Sequence, residues 1–164
     1  MLREAGVDAR LVLVRTDQNG AIDTEPASLS VFDHAIAYVP SLDLYLDGTA
    51  EHSGTRELPA GDQGVMVLVV GPSSAELKKT PVLPASSNTR TRTLTIALED
   101  DGSGTLSAEE QIGGNDAARY RSTFQAAGTQ KDRLQRQLSS SFPGLSLEQH
   151  AFTGLDDIER DVTV

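Results

Sequence analysis

The sequence predicts an α+β fold built on antiparallel sheet, and two observations carry that prediction. In the first half, short runs rich in β-branched and aromatic residues are each bounded by Gly, Pro, Asn or Asp, the pattern of strands separated by turns. In the second half, one strand-like alternation with a return partner gives way to apolar residues at helical spacing.

Taken in order, the segment LREAGVDAR after Met1 reads as the end of a helix running into a strand, so the chain is expected to begin mid-domain and to carry no signal peptide. Strands are predicted over Arg10 to Arg15, Val31 to Val39, Leu44 to Thr49 and Gly64 to Val70, with a polar, turn-rich loop at Asp17 to Ala27. In Leu11 to Val14 and in Val65 to Val70 apolar residues fall on both faces, so each face of this sheet is expected to need a cover. Pro72 to Asn88 holds three prolines among Ser, Lys and Thr and reads as a linker. The predicted domains are therefore 1–72 and 89–164, joined by a linker at 73–88.

Beyond the linker, Leu94, Ile96 and Leu98 alternate with polar or small residues. Thr105 to Ile112 can return as the hairpin partner through Asp100-Asp101-Gly102-Ser103-Gly104. A first helix is expected to be capped by Asn115 or Asp116, to carry Ala117, Tyr120, Phe124 and Ala127 on one face, and to stop at Gly128. A second begins near Thr129, spaces Leu134, Leu138 and Phe142 at i, i+4 and i+8, and ends before Pro143. An extended stretch, Leu145 to Phe152, leads to a strand-like end at Val162-Thr163-Val164.

Composition excludes several classes of function. The net charge is -10, with the acidic residues divided evenly between the halves, so no basic stripe is available for nucleic acid. Its longest apolar run, Val65 to Val70, is far too short to span a bilayer. There is no cysteine, hence neither a disulfide nor a thiolate metal site, and no cofactor is implied. Trp is absent and aromatics are few, which disfavours a stacking platform for sugars or bases.

One constellation carries chemistry. His34 and Asp47 lie in successive strand-like runs, FDHAIAYVP and LYLDGTA. If Pro40 to Asp43 make the turn, Val39 opposes Leu44, His34 opposes Thr49, and Asp47 is the diagonal neighbour of His34 on the same face. A two-residue turn at Pro40-Ser41 would place the pair directly opposite, whereas a five-residue loop would send the two side chains to opposite faces. On one face, the carboxylate can hold one ring nitrogen and leave the other to take a proton from a nucleophile. The bland alternative is a packed strand histidine beside an Asp-Gly turn.

The runs LREAGVDARLVLVRT and PASLSVFDHAIAYVPSLDLYLDGTAEHSGTRELPAGDQGVMVLVV resemble the bacterial branch of the transglutaminase-like superfamily, which includes cysteine-protease-like members. The resemblance covers Met1 to Val70. It implies that 1–72 is the C-terminal sheet of a truncated transglutaminase-like core. In that family a Cys-His-Asp triad forms a thioester from an amide, which an amine or water resolves; His34 and Asp47 match the His and Asp. The cysteine would begin a helix upstream of MLREAG, so this chain alone is expected to be inactive. The resemblance also implies a protein or peptide substrate for the full-length chain and export to the periplasm. Residues Asn88 to Val164 more loosely resemble the β-rich domain that follows such cores. A non-enzymatic protein-binding or assembly module is the alternative. Either way, a sheet with two apolar faces predicts self-association or pairing with the missing N-terminal part.

Weaker signals are set aside on physical grounds. Glu99 to Glu110 imitates a calcium loop, yet begins on Glu and lacks flanking helices, so a hairpin turn is expected. A metal site of His34, Asp47 and His52 has little support from spacing, although Glu51 lies beside it. His150 reads as a surface residue, and Arg119, Tyr120 and Arg121 open a helix whose charged face is most simply solvated. Lys131, Arg133 and Arg136 need no ligand.

Overall fold

The computed structural model describes Leu2 and residues 4–164. The chain has the mixed α+β class read from its sequence, mostly β, with two antiparallel sheets and two helices, β1 to β8 and α1 to α2 in chain order. It divides into two compact units, Met1–Pro84 and Ala85–Val164.

In the first unit β1 (Arg10–Val14), β2 (His34–Val39), β3 (Leu44–Leu46), β4 (Met66–Val70) and β5 (Ala75–Lys79) form one sheet in the order β3-β2-β1-β4-β5. Every pairing is antiparallel. Val14 stands opposite His34, Val12 opposite Ile36 and Tyr38 opposite Tyr45, so one face gathers Val12, Val14, Ile36, Tyr38, Tyr45, Val67 and Val69 into a buried core. The chain's own loop after β3 covers that face, through Leu58, which is buried in the same cluster. The opposite face, carrying Leu11, Leu68 and Leu77, stays largely open, with Leu11 51% exposed.

Three expectations are corrected in this unit. The stretch read as a linker, 73–88, contains β5, whose Leu77 pairs with Leu68 of β4, and the compact units part after Pro84. Apolar alternation is weak in Ala75–Lys79, so the strand is recognisable by its partner and not by its own pattern. Met1 and Arg3 lie outside the described residues. Where a helix end was expected, the residues around them form a turn in which Ala5 and Val7 both donate to the Leu2 carbonyl. Finally, β2 begins at His34, because Leu29–Val31 makes a 3-10 turn, and β3 ends at Leu46.

In the second unit β6 (Arg90–Leu98) and β7 (Gly104–Ile112) form a hairpin with Leu98 opposite Gly104, and β8 (Val162–Thr163) adds to β7. Its core joins Ile112 and Val162 to Ala117, Tyr120 and Phe124 of α1 (Asn115–Phe124) and Leu134 of α2 (Ala127–Ser139). The tip of the hairpin closes as a turn, Glu99 donating to Ser103 and Gly102 to Glu99 with Gly102 at φ 84°. Glu110, the last position of the calcium-like motif, is held by Arg90 and Arg92 within the sheet.

Here too the helix ends differ from expectation. Gly114 is the N-cap of α1 and Asn115 is already helical; the Asn115 N–H is satisfied by the Asn88 carboxamide instead of a side chain of the helix itself. α1 ends at Phe124, and Gly128 belongs to the first turn of α2. Tyr120 is buried with Ala117 and Phe124, as its helical spacing predicts, whereas Arg121, expected on the charged, solvated face, is buried as well. The Arg121 guanidinium donates to the Gly154 carbonyl at 3.1 Å and to that of Arg160, tying down the segment before β8. A guanidinium offers five donors in a fixed fork, so backbone carbonyls can replace the water it loses.

Candidate functional site

The turn between β2 and β3 sets the geometry of the site. Pro40 to Leu42 make a 3-10 turn that ends on Asp43 in the left-handed region, φ 47°, a conformation Asp tolerates better than most residues. The Asp43 carboxylate also accepts from the Tyr38 hydroxyl at 2.8 Å, and that bond, with burial, pushes the phenol up to about 12. This closes the hairpin with Val39 opposite Leu44, the first of the registers open to the sequence. The register brings His34 and Asp47 onto the covered face, where Nε2 of His34 lies 3.2 Å from Oδ2 of Asp47.

Asp47 does two things at once. One oxygen, Oδ1, accepts from the Thr49 backbone N–H and the Thr49 hydroxyl, both at 2.8 Å, which makes the Asp-Gly segment a turn. The other faces the imidazole. Burial pushes the Asp47 carboxyl up, but the two Thr49 bonds and His34 outweigh it and hold the group below its ordinary value. The Asp47 side chain is 6% exposed and that of His34 24%, so the carboxylate is enclosed while the imidazole keeps one edge open. With Nε2 turned toward carboxylate, Nδ1 is the nitrogen left to exchange a proton.

Sequence reasoning missed a third member. Asp62 ends the 3-10 turn Ala60–Asp62, and its Oδ2 lies 4.0 Å from His34 Nε2 with the side chain only 3% exposed. The loop between β3 and β4 must pass β2 and β1 to reach its place in the sheet. Leu58 anchors that crossing to the His34 face, so Asp62 arrives over the imidazole. Buried Thr80 then pins the loop, its hydroxyl donating to the Asp62 carbonyl at 2.6 Å. Burial, followed by the nearby charge of Asp47, pushes the Asp62 carboxyl up against the opposing pull of His34. Locally, Pro59-Ala60-Gly61-Asp62 is only turn chemistry; the one available signal is the lone apolar Leu58 beside it.

The approach to β2 is braced from the other side. Asp33 accepts from the Thr16 N–H and hydroxyl, both at 2.9 Å, and from the Asn19 carboxamide, bonds that outweigh desolvation and hold its carboxyl low. Arg15 reaches the Val31 carbonyl at 2.7 Å. Asp33 is therefore a loop anchor, although it adjoins His34 in sequence. His52 is not part of the cluster; among the described residues Asp62 takes the third place that the sequence had offered to it.

An apolar groove of about 310 Å³, lined by Ile22, Leu29, Phe32, Leu68 and Leu77 among others, lies on the opposite face of this sheet. It follows from the pleat that this groove and His34 do not share a face, because Leu68 alternates with the core residues Val67 and Val69. No family model matches the chain, and neither a curated protein nor a solved structure resembles it significantly.

Proposed function

We propose that His34 and Asp47 are the proton-transfer pair of a cysteine-dependent acyl-transfer centre of the transglutaminase-like kind, with the thiol supplied from outside these 164 residues. The observation that carries this reading is the 3.2 Å contact between His34 Nε2 and an Asp47 carboxylate already fixed through its other oxygen. In such a centre Nδ1 takes the thiol proton and the thiolate attacks the amide carbonyl. The C–N bond breaks as the imidazolium returns the proton to the leaving amine, and a thioester remains. Water or a second amine, deprotonated by the same imidazole, releases the acyl group. Asp47 orients the ring and stabilises its charged form.

The first test is the gene sequence upstream of the Met1 codon. A cysteine opening a helix there supports the proposal, and any non-nucleophile in that position overturns it. Pure chain is expected to release no ammonia from glutamine-containing peptides, and turnover abolished by a thiol-blocking reagent would contradict the absence of a nucleophile.

The open face of the first sheet favours a second reading, a binding or assembly module. Leu11, Met66 and Leu77 are each exposed by 41 to 51% beside the apolar groove, a surface suited to self-association or to the rest of the parent protein. Sedimentation at high concentration distinguishes the two: a strict monomer counts against this reading. Among the described residues no helix is long and apolar enough to cross a membrane.

A further inference from the structure

His34, Asp47 and Asp62 hold more negative charge than a proton-transfer pair requires. Two carboxylates converge on one imidazole, and the ion-pair partner of Asp62 among the described residues is that imidazole alone, at 4.0 Å, beyond hydrogen-bond length. A nearly buried carboxylate aimed at a second carboxylate is unfavourable unless a proton or a cation sits between them.

The geometry points to a cation: we propose that His34 Nε2, one oxygen of Asp47 and one of Asp62 bind a single divalent transition ion, best matched by zinc. Zinc held by nitrogen and oxygen at about 2.0 to 2.2 Å in tetrahedral geometry sets its ligand atoms roughly 3.3 to 3.5 Å apart. The His34 to Asp47 separation is 3.2 Å, that to Asp62 is 4.0 Å, and the three donor atoms all lie within 4.8 Å of one another. Drawing Asp62 toward His34 by roughly 0.5 to 0.7 Å, and toward Asp47 by no more than about 1.5 Å, brings the set to zinc dimensions. Three protein ligands leave a fourth position for water.

Ligand type narrows the ion. Calcium takes six or more oxygens, and magnesium keeps a shell of water around carboxylate alone, whereas a site with imidazole suits zinc and its neighbours. The charges match as well, since two carboxylates neutralise one divalent ion. The surroundings have the character of a metal site's outer shell: Thr49 fixes Asp47 through the oxygen that faces away from the imidazole, and Thr80 fixes the loop that carries Asp62. Metal on Nε2 leaves the proton on Nδ1, so a loaded site would not accept a proton from a thiol. That consequence, unlike the binding itself, rests on the function proposed above.

Chelator-treated chain should be titrated with zinc chloride by calorimetry, and with cobalt(II) chloride by visible absorption. The expected result is about one ion per chain, with the strong cobalt absorption of tetrahedral coordination. Loss of an outer-shell partner alone costs about 10- to 100-fold in affinity, so Asp62→Asn must weaken binding by at least that much. On the unmutated chain, zinc should shift the His34 ring nitrogens in the NMR spectrum and leave those of His150 in place, a readout independent of any variant's folding. No binding, or binding unchanged by Asp62→Asn with His34 signals unmoved, overturns the proposal. Either result leaves the His34 to Asp47 pairing and the upstream cysteine to be judged separately.

Discussion

Each unit of this protein buries a carboxylate, and the two do so in opposite ways. In the second unit Glu110 meets two guanidinium groups: Arg92 at 2.9 Å and Arg90, which also donates to the Tyr120 hydroxyl at 2.9 Å. Burial pushes Glu110 up, but Arg90 and Arg92 outweigh it and hold the group below its ordinary value. In the first unit Asp62 meets another carboxylate and a half-open imidazole, and its carboxyl is raised. A satisfied buried charge is the mark of structure, since each of its oxygens has a donor, Arg90 and Arg92 on Oε1 of Glu110 and the Tyr120 hydroxyl on Oε2. An under-paired one, kept at a cost in stability, is the mark of a site.

The largest effect that probes this contrast comes from the core beside Glu110. Phe124 is 1% exposed and stacks on Phe152 at 4.7 Å, so Phe124→Ala should destabilise the second unit by about 3 to 5 kcal/mol. Denaturant unfolding measures it, and a loss under 1 kcal/mol would mean that the helices contribute little to this unit. Next, Glu110→Ala leaves two arginines facing each other. Fully buried pairs cost about 3 to 5 kcal/mol to break, and the exposure of Arg90 and Arg92 lowers the expected value to roughly 2.

A third prediction turns on pH, because the two carboxylates act with opposite sign. Glu110, depressed in the fold, contributes stability that is present above its unfolded value of 4.5 and is lost as pH falls through its folded value. Asp62, raised in the fold, favours the folded state while protonated. Its contribution is lost as pH climbs from 3.8 through the raised value. Asp62→Asn should therefore flatten the fall in stability on the alkaline side of 3.8, and Glu110→Gln the fall on the acid side of 4.5. Matching pH profiles for the two variants would erase the contrast between the clusters.

The smallest effect is expected where neither burial nor charge is at stake. Leu98 is 77% exposed near the hairpin tip, so Leu98→Ser should change stability by no more than about 0.5 kcal/mol. A larger loss would indicate that the hairpin tip is covered in solution.

Legibility from sequence followed the range of the interaction. The strands around Leu11 to Val14 and Val65 to Val70, the hairpin from Arg90 to Ile112 and both helices announce themselves by period, because neighbours two or four residues apart share a face in any fold. Those same rules placed His34 and Asp47 on one face once the turn was granted, since only four residues separate Val39 from Leu44. Helix ends were less legible: Gly128 has the chemistry of a stop, yet the chain re-enters a helix at Ala127.

By itself, then, the sequence determined the α+β class and the strand faces, and it offered the His34 to Asp47 pairing as one of the registers that the turn allowed, all of which depend on residues close along the chain. Only the tertiary structure decided that Asp62 joins them, that Arg121 is buried among backbone carbonyls, that Ala75–Lys79 is a strand, and that one face of the first sheet is covered while the other stays open. Each of those outcomes depends on where a loop or a partner strand arrives after many residues. Polar loop sequence carries little information about that destination, because the packing that selects it belongs to residues elsewhere in the chain.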